Sequence, residues 1–176
     1  ASGRTACRAR PSAHTERRVP RRARLAYRDV ASATNRLTLI AAIVPARAVT
    51  THTLFCLRSP IGCDRQLVLC ALLNSFVANY LVRLRVNTHV TAAIMSRLPV
   101  PWIPEGHRAE AQLLSLAHRL REGGRPVEEM EEYAELQAVV GGLYGLMRDE
   151  FVHVVGKFPL IPQGVRDAAI YRFDAL

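Results

Sequence analysis

The chain has 176 residues, 49% of them hydrophobic, which suits one ordinary domain or a domain with a helical appendage. Its formal net charge is +9, pointing to a polyanionic partner. The longest uncharged stretch, Gln66 to Val82, is 17 residues long and includes Gln66, Asn74, Ser75 and Asn79, so it falls short of a membrane span.

Residues 1–24 hold eight arginines against the single acid Glu16, whereas residues 25–176 hold sixteen basic and fourteen acidic residues. The high isoelectric point therefore belongs mostly to a leader, residues 1–23. With almost no large apolar residue to bury, that leader reads as a solvated, disordered segment. Lys157 is the only lysine; this skew fits arginine forks on phosphate and guanine, and equally the codon usage of a GC-rich gene. Ala1 in place of methionine fits a fragment of a longer protein.

A short strand is expected over Arg24–Val30, where apolar and polar residues partly alternate. Ala31–Arg36 is a polar connector with turn residues. Leu37–Val44, closed by Pro45, reads as a buried strand, and Thr53–Leu57 as a third. Cys56 and Cys70 sit in apolar runs and read as small core residues, and Cys63 as a loop thiol. Together with Cys7 they form no CxxC pair, and the seven-residue spacing of the last three is wrong for zinc. Without a signal-peptide pattern, a cytoplasmic setting is expected.

Leu69, Leu72, Leu73, Phe76, Val77, Tyr80, Leu81 and Leu84 recur at steps of three and four, predicting one long amphipathic helix. Asn87-Thr88-His89 breaks it. A helical turn over Ala92–Met95 leads into the proline-pinned exit Leu98–Pro104. Helices follow over Arg108–Arg121, from Pro126 through Leu143, over Arg148–Val155, and after Pro162. The expected class is α+β: a small mixed or antiparallel sheet packed on a long helix over residues 24–104, then a helical region over 105–176.

No catalytic constellation is visible. A base-modifying methyltransferase needs a Pro-Pro-aromatic loop and a glycine-rich cofactor turn, and the sequence has neither Pro-Pro nor GxG. The cluster Gly141-Gly142-Leu143-Tyr144-Gly145 looks like a helix end. An Asp…Glu-x-Lys nuclease site fails because Lys157 follows Val155-Gly156, and HExxH, P-loop and GxSxG are absent. The six histidines are scattered; His52, His89 and His107 suit loops better than metal ligation. No catalytic residue, metal or cofactor is assigned to this chain.

The order of segments nevertheless resembles a known module. Arg24–Val30, Thr34–Pro45, Leu72–Val77 with Tyr80–Arg83, Asn87–Val90 and Arg97–Pro101 are similar in series to the TaqI-like specificity domain. That domain is the C-terminal unit of Eco-type and Taq-type adenine-specific DNA methyltransferases and of fused restriction-modification enzymes. The helix-to-Leu-Pro-Val-Pro exit is also similar to the specificity subunits of type I restriction systems. Leu143–Leu146, Asp149–Phe151 and Phe158–Leu160 look like the tail of the same enzymes, so the likeness spans about residues 24–162. It departs from them in lacking the catalytic domain that precedes the module.

The resemblance implies double-stranded DNA as partner, together with a missing methyltransferase domain or subunit. It also implies S-adenosylmethionine as the cofactor of that parent enzyme. Basic residues would hold phosphates and polar ones read base edges. Candidate phosphate contacts are Arg24, Arg28, Arg36, Arg47, Arg83 and Arg85. Candidate base readers are Thr34, Asn35, His52, Asn87, Thr88 and His89, which sit in polar breaks between apolar elements. Two other readings stay open: a helical docking module after residue 107, whose Glu128–Glu135 face would repel phosphate, and a stand-alone DNA-binding remnant with a basic tail.

Overall fold

The computed structural model describes residues 20–58 and 60–176, so the leader reading lies almost wholly outside the described residues. Strands β1 (Arg24–Arg28), β2 (Ala41–Val44) and β3 (Leu54–Cys56) form an antiparallel sheet in the order β2-β1-β3. Leu25 pairs with Ile43, and Tyr27 with both Ala41 and Phe55. The Tyr27 and Phe55 rings stack at 5.6 Å.

The first strand is shorter than expected: it stops at Arg28, and Val30 makes only an isolated bridge to His89. The second is half its expected length. Thr38 and Leu39 are buried as anticipated, but the Leu39 N–H donates to the Asn79 side chain at 2.8 Å and not to a strand. Residues 37–39 therefore approach the sheet without joining it, and Ile40 meets it only by accepting from Arg28 N at 2.9 Å.

The largest departure is in the predicted long helix, which is two: α1 (Cys63–Leu73) and α2 (Phe76–Arg83), bent by 63°. The break lies at Asn74-Ser75. Ser75 is extended (φ −76°, ψ 156°), and its Oγ accepts from Ala78 N at 3.1 Å as an N-cap. The same hydroxyl donates to Leu72 O at 2.7 Å. The apolar spacing runs on across the bend, which is why periodicity alone sees one stripe.

The bend sends apolar residues to different sides. Leu73, Ala78 and Val82 pack with Leu25 and Tyr27 of the sheet and with Leu39 just before β2. Val68, Ala71 and Leu72 pack with Leu113 and Leu116 of α4 (Arg108–Glu122) and with Leu136 and Val140 of α5 (Glu131–Leu143). Phe76 and Val77 pack with Phe151 and Val155 of α6 (Arg148–Gly156), with Phe158, and with Ala169 of α7 (Gln163–Asp174). A five-residue helix, α3 (Ala92–Ser96), follows α2, and a 3-10 turn over Val127–Glu129 precedes α5. The expected start at Pro126 thus becomes a separate turn, with Glu131 and Glu132 in the first turn of the helix proper.

Gly141 lies inside α5 rather than at its end. A Cβ there would come within 2.7 Å of the Phe151 ring and 2.9 Å of Phe173, so glycine permits the close approach of α6 and α7. Gly145, at φ 70°, is the residue past the helix end.

Four carboxamides hold the elements together. Gln66 accepts from Leu25 N at 2.9 Å, and Asn74 accepts from Ala41 N at 3.1 Å while donating to Ala41 O at 2.9 Å. Asn79 takes the N–H of Leu39, and Gln137 that of Phe76 at 2.6 Å. Each fills a backbone position that no strand or helix satisfies. Asn79 is fully buried, so Asn79→Ala leaves the Leu39 N–H unpaired. The expected loss is about 1–3 kcal/mol, read as a lower urea midpoint at constant slope. An unchanged midpoint would refute this role. Among the described residues no single helix is long and apolar enough to cross a membrane.

Candidate nucleic-acid interface

The near neutrality of residues 25–176 conceals a division that follows the fold. Residues 20–103, which hold the sheet and helices α1 to α3, carry eleven arginines and two acids, Asp29 and Asp64. Residues 104–176, which hold α4 to α7, carry eight basic and twelve acidic residues. One half of the molecule is strongly positive and the other is negative.

On the positive half, three loops meet at the C-terminal end of β1. Asp29 N donates to Thr53 O at 2.9 Å, Val90 N to Asp29 O at 2.7 Å, and Ala31 N to Thr88 O at 3.1 Å. These bonds bring His52, Asn87, Thr88 and His89 to one edge, all exposed. His89 Nδ1 meets the Asp29 carboxylate at 2.8 Å, which orients the ring and leaves Nε2 outward for a further contact. The sequence reading missed Asp29. Its signal was its rarity, as one of two acids in residues 20–103.

Arg24 and Arg47 lie at the opposite end of β1, about 14 Å away along the strand. Arg24 donates to Ala48 O at 2.9 Å and is half-buried. Arg47 adopts a left-handed φ of 65°, its N–H donating to Pro20 O at 2.7 Å, and its side chain is exposed.

The remaining candidates are turned to structural use. Arg28 donates to Leu37 O at 3.1 Å, and Arg36 forms an ion pair with Glu128 of the acidic half. The Asn35 side chain accepts from Ser32 N at 2.6 Å, and the Thr34 and Ser32 hydroxyls lie 2.7 Å apart, so both side chains close the turn they sit in. Arg83 donates to Thr38 Oγ1, to the carbonyls of Asn35 and Arg36, and to the carbonyl of Lys157. Its guanidinium lies 4.3 Å from the Phe158 ring centroid, and burial lowers its pKa. Arg83 is thus a staple between the halves, with partners more than forty residues away in sequence on both sides. Arg85 donates to Leu81 O at 2.8 Å and stays exposed.

Nine of the candidates are exposed; Thr34 and Asn35 close their own turn and Arg36 pairs with Glu128, which leaves Arg47, Arg85, His52, Asn87, Thr88 and His89. Arg21, Arg22, Arg58 and Arg97, which the sequence reading did not single out, are exposed on the same half. Among the described residues no group of histidine, cysteine, aspartate or glutamate is placed to hold a metal ion. Comparison of the chain with protein-family models, curated proteins and solved structures finds no match.

Proposed function

We propose that the chain recognises double-stranded DNA as the target-recognition part of an adenine-N6 DNA methyltransferase or restriction-modification enzyme. The observation that carries the DNA part is the division of charge, eleven arginines against two acids over residues 20–103. Arginines concentrated on one half of a molecule form the electrostatic footprint of a phosphate backbone. The exposed Arg47, Arg58, Arg85 and Arg97 hold phosphates and set the register. Asn87, Thr88, His52 and the Nε2 of His89 read base edges from the loop cluster. Methyl transfer from S-adenosylmethionine belongs to the parent's catalytic part, and this narrower reading rests on the ordered resemblance of segments.

Selection from a random duplex pool tests the assignment. The chain is expected to enrich one short site, and Asn87→Ala to relax preference at one position by about 1–3 kcal/mol. An unchanged site profile would sink the Asn87 assignment. The methyltransferase reading is checked in the DNA upstream of the Ala1 codon. An open frame with a glycine-rich cofactor turn and an Asn-Pro-Pro-Tyr-like loop is expected there; an in-frame stop would leave only a separately encoded catalytic partner.

A second reading applies to the acidic half. Met147, Leu160, Tyr171 and Leu176 are each more than 60% exposed, and an acid-rich surface with apolar side chains suits protein docking rather than phosphate. In this reading residues 104–176 hold the parent's other parts while residues 20–103 face DNA.

A further inference from the structure

His89 stands at the exposed edge of the loop cluster with both its backbone and its ring fixed. Val90 N donates to Asp29 O and Ala31 N to Thr88 O, the two bonds that bracket a narrow antiparallel pair between Val30 and His89. Residues opposed in such a pair point their side chains to one face, with Cβ atoms about 5 Å apart. Val30 and His89 are therefore neighbours on the surface, Val30 being 51% exposed and the His89 side chain equally so.

Asp29 sets what the ring can do. Its carboxylate lies 2.8 Å from His89 Nδ1. A carboxylate only accepts, so Nδ1 carries the proton of the neutral ring and Nε2 is left as a bare acceptor. Asp29 is itself held at both backbone groups, its N–H by Thr53 O and its carbonyl by Val90 N. The cluster thus offers, side by side, one hydrogen-bond acceptor and one branched apolar group.

In the major groove an acceptor finds a donor only at adenine N6 or cytosine N4, because guanine and thymine present acceptors there. The apolar neighbour separates these two. On the edge of an A·T pair the adenine amine is accompanied by the thymine methyl. On a C·G pair the same flank carries guanine N7, an acceptor that an apolar side chain leaves unpaired.

We propose that Val30 and His89 together read one A·T base pair: His89 Nε2 accepts from adenine N6, and Val30 packs on the thymine methyl. Asp29 is the positioning residue that fixes the tautomer and does not touch DNA. This inference rests on the DNA reading above and goes beyond it in naming the base pair and in giving Val30 and Asp29 their parts.

Two measurements on the full chain test it, the first without DNA. Long-range proton–nitrogen NMR of the histidine-labelled protein, at about pH 9 and so above the range in which histidines commonly titrate, is expected to show His89 protonated at Nδ1 and bare at Nε2. Asp29→Ala should move that proton to Nε2. The second uses the duplex enriched from the random pool. At one A·T position, replacing adenine by purine without its 6-amino group should lower affinity about tenfold, and replacing thymine by uracil about fourfold. His89→Ala should abolish the first response and keep the second, Val30→Ala the reverse, and Asp29→Ala should weaken the first alone. A wild-type His89 protonated at Nε2 overturns the proposal whatever the DNA result. Duplex binding whose base responses ignore His89→Ala and Val30→Ala overturns it and leaves the wider DNA reading standing. No binding to any duplex overturns both.

Discussion

Replacing Phe158 by alanine is expected to lower the unfolding free energy by about 3–5 kcal/mol, the range for truncating a buried aromatic. Phe158 is fully buried, and its ring lies 5.0 Å from that of Phe76, which meets Tyr133 edge-on at 5.8 Å. Arg83 covers it at 4.3 Å. One side chain thus joins α2, α5 and the turn after α6, and the cavity left by its loss opens where three elements meet. For a chain of this size the midpoint should fall by about 10 °C or more in a thermal scan. A fall of less than about 2 °C would mean that Phe158 is not central to the packing.

The second large effect is expected from Arg83→Met, which keeps an apolar stem over Phe158 but removes every donor. The carbonyls of Asn35, Arg36 and Lys157 then lose a charged partner. The expected cost is about 1–3 kcal/mol, because these carbonyls lie near the surface and water replaces part of what is lost. The sharper readout is local. Amide exchange over residues 32–38 should quicken, while exchange in β1 and α5 follows only the global loss. Unaltered exchange over residues 32–38 would show that the turn holds itself through Ser32, Thr34 and Asn35 alone. If duplex binding is also measured, Arg83→Met separates positioning from contact: a phosphate contact lowers the salt slope by about one, a staple does not.

These two residues illustrate what a sequence discloses and what it withholds. The strands around Arg24–Arg28, Ala41–Val44 and Leu54–Cys56 and the helices from Arg108 onward follow from alternation, from three-and-four spacing, and from proline and glycine punctuation. The bend at Asn74-Ser75 does not, because apolar spacing continues across it. The hint was local: an asparagine and a serine inside an otherwise apolar run, each able to bond the backbone rather than extend a helix. Residues 37–39 read as strand because burial and β-propensity are shared by strands and by buried connectors. Only the distant Asn79 decides which one forms.

The candidate site was legible to the extent that its residues lie in polar breaks. His52, Asn87, Thr88 and His89 come together because the three breaks flank the ends of paired elements. Arg28, Arg36 and Arg83 are indistinguishable from phosphate-binding arginines in the sequence, since their partners Leu37 O, Glu128 and Lys157 O are fixed by tertiary structure. The charge division was hidden for a similar reason. A total over residues 25–176 averages two halves of opposite sign, and the fold supplies the place to divide it.

The central claim is that residues 20–103 present a phosphate-binding surface of their own, and salt dependence tests it most directly. Binding of a fluorescent duplex would be followed by anisotropy between 50 and 200 mM salt, roughly the range over which phosphate contacts are screened, with and without residues 1–19. A fall of log K with log salt of slope about −5 is expected, as for roughly six phosphate contacts, with most of it retained after the leader is removed. A flat slope, or binding that disappears with residues 1–19, would contradict it.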